Sequence, residues 1–206
     1  MNSIDISWPI TPDMTAYKNK KRVQIEQIKT MEHDQVRETV LHLGSHAGTH
    51  VDAPAHFMHN GDLYDVLSIS LFIGQCVVLD LMHIQDHITA QDLQSYTIPE
   101  KSIVLLKTSN SFLSATAPFN DLFVYLDASG ADYLIKKHIK SVGIDYLGIE
   151  RNQPNHETHI TLMQHGIGII EGLRLQHVTA GAYMLYCLPL AMVGTEASPA
   201  RAILVQ

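Results

Sequence analysis

The run SHAGTHVDAPAHFMH, from Ser45 to His59, gathers His46, His50, Asp52 and His56 among small residues. Imidazole nitrogens and carboxylate oxygens suit zinc or manganese, so His46, His50 and Asp52 are candidate ligands of a divalent ion. Donors this close in sequence converge only if the backbone turns sharply between them. Gly44 and Gly48 can supply the turn, because glycine enters conformations closed to other residues, and Pro54 stiffens the exit. On an extended stretch His50 and Asp52 point to the same side, and His46 comes round through Ala47-Gly48. The chemistry such a site offers is hydrolysis by metal-activated water. His56 suits either a further ligand or a proton-transfer group, and the spacing does not choose. A histidine-rich loop without metal is the competing reading. It is disfavoured because burying these polar groups without partners is costly.

A second set of donors lies in NHETHITLMQHGIGIIEG, which holds His156, His159, His165 and Glu171. His156 and His159 are three apart on an expected helix and would share a face. HETH is one residue short of the zinc-protease HExxH, so that assignment is rejected. Glu171 stands in an apolar, glycine-flanked strand, where a carboxylate needs a partner or a metal. No GxSxG elbow supports a serine nucleophile. Ser45 and Thr49 are expected to hydrogen-bond a carboxylate or substrate beside the ligands. Trp8, in a proline-bounded loop, is a candidate wall of a pocket for a flat substrate, against a core position as the plainer reading. Phe57, with Tyr17, Phe112 and Tyr125, is a candidate for the same lining.

The elements that hold these groups follow from periodicity. Val23 to Leu43 alternates as two strands joined around Glu32 to Asp34, and the second strand feeds the histidine loop. GQCVVLDL and SIVLLKT read as buried strands flanking a helix at Ala90 to Tyr96, with Thr89 as its N-cap. LFVYLD reads as a strand, ASGADYLIKKHIK as an amphipathic helix and VGIDYLGIE as the next strand, which suggests a parallel crossover. A helix over His156 to His165 and strands GIGIIEGL, GAYMLYCLPL and ARAILVQ complete a mixed α/β chain.

At 206 residues the chain is expected to be one domain, 1–206, with room for a sizeable core. Its formal charge of -7 disfavours nucleic acid as a partner, and the only tight basic cluster is Lys18, Lys20, Lys21 and Arg22. Cys76 and Cys187 have no metal-knuckle or redox spacing and are read as buried thiols. No leader pattern or membrane-length apolar run is present, so a cytoplasmic protein is expected.

These residues also carry a resemblance. HAGTHVDAPAHF, His46 to Phe57, fits the pattern HxGTHxDxPxHF of the cyclase or kynurenine formamidase-like family of metal-dependent hydrolases, and the likeness continues through IDYLGIE, IIEGLRL and PARAIL. The resemblance implies metal binding by His46, His50 and Asp52, and proton transfer by His56. It further implies that His159 and Glu171, twelve residues apart, complete a site for one or two zinc or manganese ions. It also implies a swivelling β/β/α fold, a homodimer and a small-molecule amide substrate. The chain departs from the family where it reads GIERNQPNHETH, and where Glu196-Ala197-Ser198 replaces an acid-glycine pair. The acyl group therefore stays open between an N-formyl arylamine, such as N-formylkynurenine, and a lactam or other cyclic amide. A non-catalytic metal site is the alternative from another class.

Overall fold

The run SIVLLKT is apolar without alternation because its strand is covered on both faces. Ile103 and Leu105 point into one core cluster and Val104 and Leu106 into another, all fully buried. The computed structural model describes residues 2–206. Its first elements are β1 (Ser3–Asp5), β2 (Val23–Lys29), α1 (Met31–Asp34), β3 (Glu38–Leu43) and β4 (His50–Asp52). The middle of the chain forms β5 (Ile73–Asp80), β6 (His87–Ile88), α2 (Ala90–Leu93), β7 (Ile103–Lys107), β8 (Tyr125–Leu126), α3 (Ala128–Lys136) and β9 (Ser141–Ile144). It ends with α4 (Glu157–Gln164), β10 (Gly168–Glu171), β11 (Gly181–Pro189) and β12 (Ala197–Val205), and short 3-10 turns lie between several of these.

Eight strands form one sheet in the order β1-β12-β11-β5-β7-β9-β10-β4, and a further pairing of β12 with β4 closes it on itself. Neighbours from β5 through β10 run parallel, and the remaining pairs are antiparallel. Parallel neighbours require crossovers, and α2, α3 and α4 supply them. The sheet interior is filled by Val51, Ile103, Leu105, Ile170, Leu185 and their neighbours, while the opposite face of the parallel strands packs under the helices. The mixed α/β sheet with flanking helices expected from the sequence is thus the observed architecture.

Three details differ from expectation. LFVYLD contributes only β8, which pairs with β6 in a separate two-stranded sheet, so β7 rather than LFVYLD starts the crossover into β9. Of this run only Tyr125 and Leu126 pair, with His87 and Ile88, while Leu122 is 76% exposed and Phe123 and Val124 are buried outside the strand. The helix expected over ASGADYLIKKHIK stops at Lys136, because His138 takes φ 52° and lets Ile139 drop into the core. Its start is held by Asp127, which accepts from the Gly130 amide at 2.8 Å. α2 is shorter than Ala90 to Tyr96, yet Thr89 and Asp92 form the capping box that its N-cap residue suggested.

Candidate active site

β4 is three residues long and lies between β10 and β12. Its period of two turns His50 and Asp52 to one face and sends Val51 into the sheet interior. Cα register pairs His50 with Glu171 of β10, so two donors far apart in sequence become cross-strand neighbours. His50 donates from Nδ1 to the Gly48 carbonyl at 2.9 Å, which leaves Nε2 facing Asp52 Oδ1 at 3.5 Å and Glu171 Oε2 at 3.3 Å.

His46 reaches the group through the turn before β4, with Nδ1 3.1 Å from Asp52 Oδ1. That turn is tightly seated. Gly48 has φ +66°, and a Cβ there would lie 2.8 Å from Ile10 Cδ1. A Cβ on Gly172, at the end of β10, would come within 2.2 Å of the Gly48 carbonyl oxygen, so only glycine permits this approach. Thr49 ties the layers together by donating to Gly172 O at 2.5 Å and accepting from the Trp8 amide at 2.7 Å. Thr49 therefore bonds backbone, whereas Ser45 does bond a carboxylate, Glu196 Oε1 at 2.6 Å.

Trp8 is 2% exposed, donates its indole N–H to Ala115 O and lies under the Arg174 guanidinium. It does not line the cavity described below, so the substrate-wall expectation for Trp8 is corrected to support of the ligand turn from behind. An indole whose N–H finds a backbone partner is well accommodated in a core, which is the physical reason.

α4 packs over the outer face of β10 and brings His159 to 3.1 Å from Glu171 Oε1 and 3.5 Å from Asp52 Oδ2. His156 does not share its helical face. It precedes the helix with φ 53°, is largely exposed and donates to Glu150 Oε1 at 2.5 Å. The other Glu150 oxygen lies 3.2 Å from His159 Nδ1, a charge contact without hydrogen-bond alignment, and accepts from the His159 amide at 3.2 Å. The Ile149 amide donates to Glu171 Oε1 at 2.6 Å. His165 bonds its own helix at Thr161 O and stays outside the site.

Two groups of donors therefore interlock, His46-His50-Asp52 and Asp52-His159-Glu171, each with ligand atoms within 4.8 Å of one another. Buried atoms without an aligned hydrogen-bond partner include His46 Nε2, His50 Nε2 and both Asp52 oxygens. Such atoms are expensive unless something satisfies them, and this donor set matches a divalent cation. Burial would raise the Asp52 carboxyl, but the imidazoles of His159, His46 and His50 close beside it outweigh burial and hold it well below the usual carboxylate range. For Glu171, burial and the nearby Asp52 charge are overcome by His159 and His50, giving about 2. His50 is pulled down by burial, yet Glu171 and Asp52 lift it to about 9. Strong proton affinity at these imidazoles reports a negative potential that a divalent cation would satisfy at the same place.

The group forms the floor of an open cavity of about 540 Å3. His56 is half-buried in the turn Pro54–His56, with its ring 4.2 Å from that of His46, and burial pushes its imidazole below the ordinary value. Phe57 lies against His159 and His156 at 4.4 and 4.3 Å and lines the cavity, as does Tyr17; Phe112 and Tyr125 do not line it. Two lining carboxylates were not assigned a role from sequence, Glu150 and Glu196. Glu196 Oε1 is 3.3 Å from His46 Nε2. In sequence Glu150 closes IDYLGIE between β9 and α4, and Glu196 directly precedes β12 in the altered Glu196-Ala197-Ser198 stretch.

A structural zinc is closed by its own four ligands, whereas a floor of donors open to a cavity leaves room for substrate, and on a closed α/β sheet that defines a metal-dependent hydrolase. Residues 4–151 match the Cyclase family, described as "Putative cyclase", and the chain belongs to that family. A relative from Bacillus cytotoxicus, named kynurenine formamidase, is 32% identical over 203 residues, covering 98% of this chain and 96% of its own. That span includes His159 and Glu171. A solved structure described as a "potential metal-dependent hydrolase with cyclase activity" is 40% identical, with a TM-score of 0.89 over 98% of this chain and 96% of its own. Isatin hydrolase A from Labrenzia aggregata shares the fold, with a TM-score of 0.82 at 21% identity over 99% of this chain and 93% of its own.

Proposed function

We propose that the chain hydrolyses the C–N bond of a small N-formyl arylamine, in the manner of a kynurenine formamidase: N-formyl-L-kynurenine and water give L-kynurenine and formate. The observation that carries this reading is the pair of interlocked donor triads sharing Asp52 on the floor of an open cavity, with His56 beside them. The kynurenine formamidase relative spans nearly the whole chain and supports the choice of substrate.

His46, His50, Asp52, His159 and Glu171 would hold zinc or manganese, and the shared Asp52 favours two ions over one. A divalent cation there supplies Lewis acidity that polarises the acyl oxygen and makes water a nucleophile near neutral pH. The protein's own groups do the rest. His56, neutral at pH 7, takes a proton from the attacking water and returns it to the departing arylamine nitrogen. Phe57 presents an aromatic face to the substrate ring and keeps His159 in place. The cavity is within the range that encloses one small molecule.

The same reading takes the chain as one domain acting as a cytoplasmic homodimer. Its two cysteines are free and buried, as a reducing compartment permits. Exposed Met184, Tyr186 and Leu188 on one face of β11, with Ile25 and Leu41 on the β2–β3 ribbon, offer apolar surface to a second copy. No described helix is long and apolar enough to cross a membrane.

The test is turnover of N-formylkynurenine after chelation and separate reloading with zinc and manganese, beside N-formyl anilines, lactams and a His56→Ala control. Metal-restored release of kynurenine that vanishes in the control supports the reading. Cleavage confined to lactams moves the substrate to the cyclic amide alternative, and no turnover of any member by metal-loaded protein rejects the hydrolase.

A further inference from the structure

The floor of the cavity is acidic, but its rim is not. Lys18, Lys20, Lys21 and Arg22, the only tight basic cluster of a chain with formal charge -7, all line the cavity that holds the donor triads. They are exposed, whereas Asp52, Glu150 and Glu171 are buried, so charge changes sign from floor to mouth. Among the described residues none of the four cations makes an ion pair; Asp13 lies near Lys21 without forming one.

The fold keeps this cluster at the mouth. Lys18 and Asn19 both take left-handed backbone conformations, φ 50° and 59°, and Tyr17 packs edge-on against Phe119 at 4.9 Å. Arg22 enters β2 across Gly44, where a Cβ would lie 3.3 Å from Arg22 Cβ, so the stem of Arg22 sits beside the turn that carries His46. Unpaired cations gathered at one mouth raise the local concentration of anions and orient an anion that enters.

We propose that the rim formed by Lys18, Lys20, Lys21 and Arg22 is a carboxylate subsite: the substrate presents its amide to the floor and a carboxylate, several bonds away, to this rim. This rests on the arylformamide reading of the floor. Carboxylate-bearing formanilides are then preferred over neutral ones of the same shape, chiefly through KM, because the rim cations do not touch the reacting atoms.

The experiment uses a matched pair, ortho-formamidobenzoyl propanoate, which carries a carboxylate and no amine, and its neutral methyl ester. Both are assayed with metal-loaded wild type and with the combined variant Lys20→Ala, Lys21→Ala, Arg22→Ala, whose melting curve reports folding. The expected result is a wild-type kcat/KM ratio of acid to ester on the order of tenfold, carried by KM, that collapses toward one in the variant and in high salt. An acid-to-ester ratio near one in wild type, or a ratio the variant leaves intact, overturns the subsite while leaving the amidase reading standing. If neither compound is cleaved, the arylformamide reading fails, and the subsite is judged by calorimetric binding of kynurenine against its methyl ester. Preference for the acid that the variant abolishes supports it, and equal or absent binding in wild type overturns it.

Discussion

At the scale of single residues, the proposed function divides the site between groups that hold charge and His56, which would move it. The His56 imidazole has no hydrogen-bond partner among the described residues, and burial keeps it below the ordinary value. His56→Ala is expected to lower kcat by about 100- to 10,000-fold, the range for loss of a positioned proton carrier. Metal content measured by atomic absorption should not change; loss of bound metal would instead make His56 a ligand. Glu150 works through another group, since it faces His159 Nδ1 while Nε2 points at Glu171. Glu150→Gln is expected to weaken metal affinity by roughly 10- to 100-fold in a chelator competition, as for other carboxylates behind a metal-binding histidine. An unaltered affinity would leave Glu150 as packing only. His46, His50, Asp52 and His56 were legible in sequence because their spacing is local to one short strand and the turns on either side of it. Glu150 was not, because nothing in IDYLGIE says which histidine its carboxylate meets.

At the scale of elements, the ends of β7 and β9 are joined by a buried carboxylate. Asp145 accepts from the Thr108 amide and hydroxyl, both at 2.7 Å, and from Ser111 Oγ at 2.6 Å. Burial nevertheless outweighs these bonds and raises its carboxyl from 3.8 to about 6. Below 3.8 the group is protonated in both folded and unfolded chains, so its stabilising contribution is complete. As pH rises from there through about 6 only the unfolded chain ionises first, and that contribution, ~3 kcal/mol at most, is lost. Urea unfolding of wild type and Asp145→Asn from pH 4 to 7 should show the wild-type advantage shrinking across this window; a constant difference sinks the assignment. Element types were readable from period and capping, as Thr89 shows. Element partners were less so, because LFVYLD has a strand composition and yet its neighbours leave it at the edge of a separate two-stranded sheet.

At the scale of the whole molecule, the candidate ligands come from the turn at His46, from β4, from α4 and from β10, so a bound ion would tie the closing strand of the sheet to the helical layer. Binding to the folded state alone should stabilise by ~2.7 kcal/mol at a hundredfold excess over Kd. For a chain of this length that is a rise in Tm of about 5–10 °C, read by calorimetry with and without a chelator. Asp52→Ala, which removes the donor common to both triads, should abolish the rise, and equal Tm values for loaded and chelated wild type would exclude a cation from this place. The amino-acid sequence by itself determined the histidine turn, the mixed α/β character and the presence of a second donor segment, because these depend on glycine geometry, side-chain period and short spacing. Only the tertiary structure decided that His156 and His165 stay out of the cluster that His159 faces, that Trp8 supports rather than lines, and that the basic run lines the cavity. Those outcomes depend on which distant elements meet. Closure of the sheet sets Glu171 opposite His50 and lays α4 across them, and no local period encodes that register.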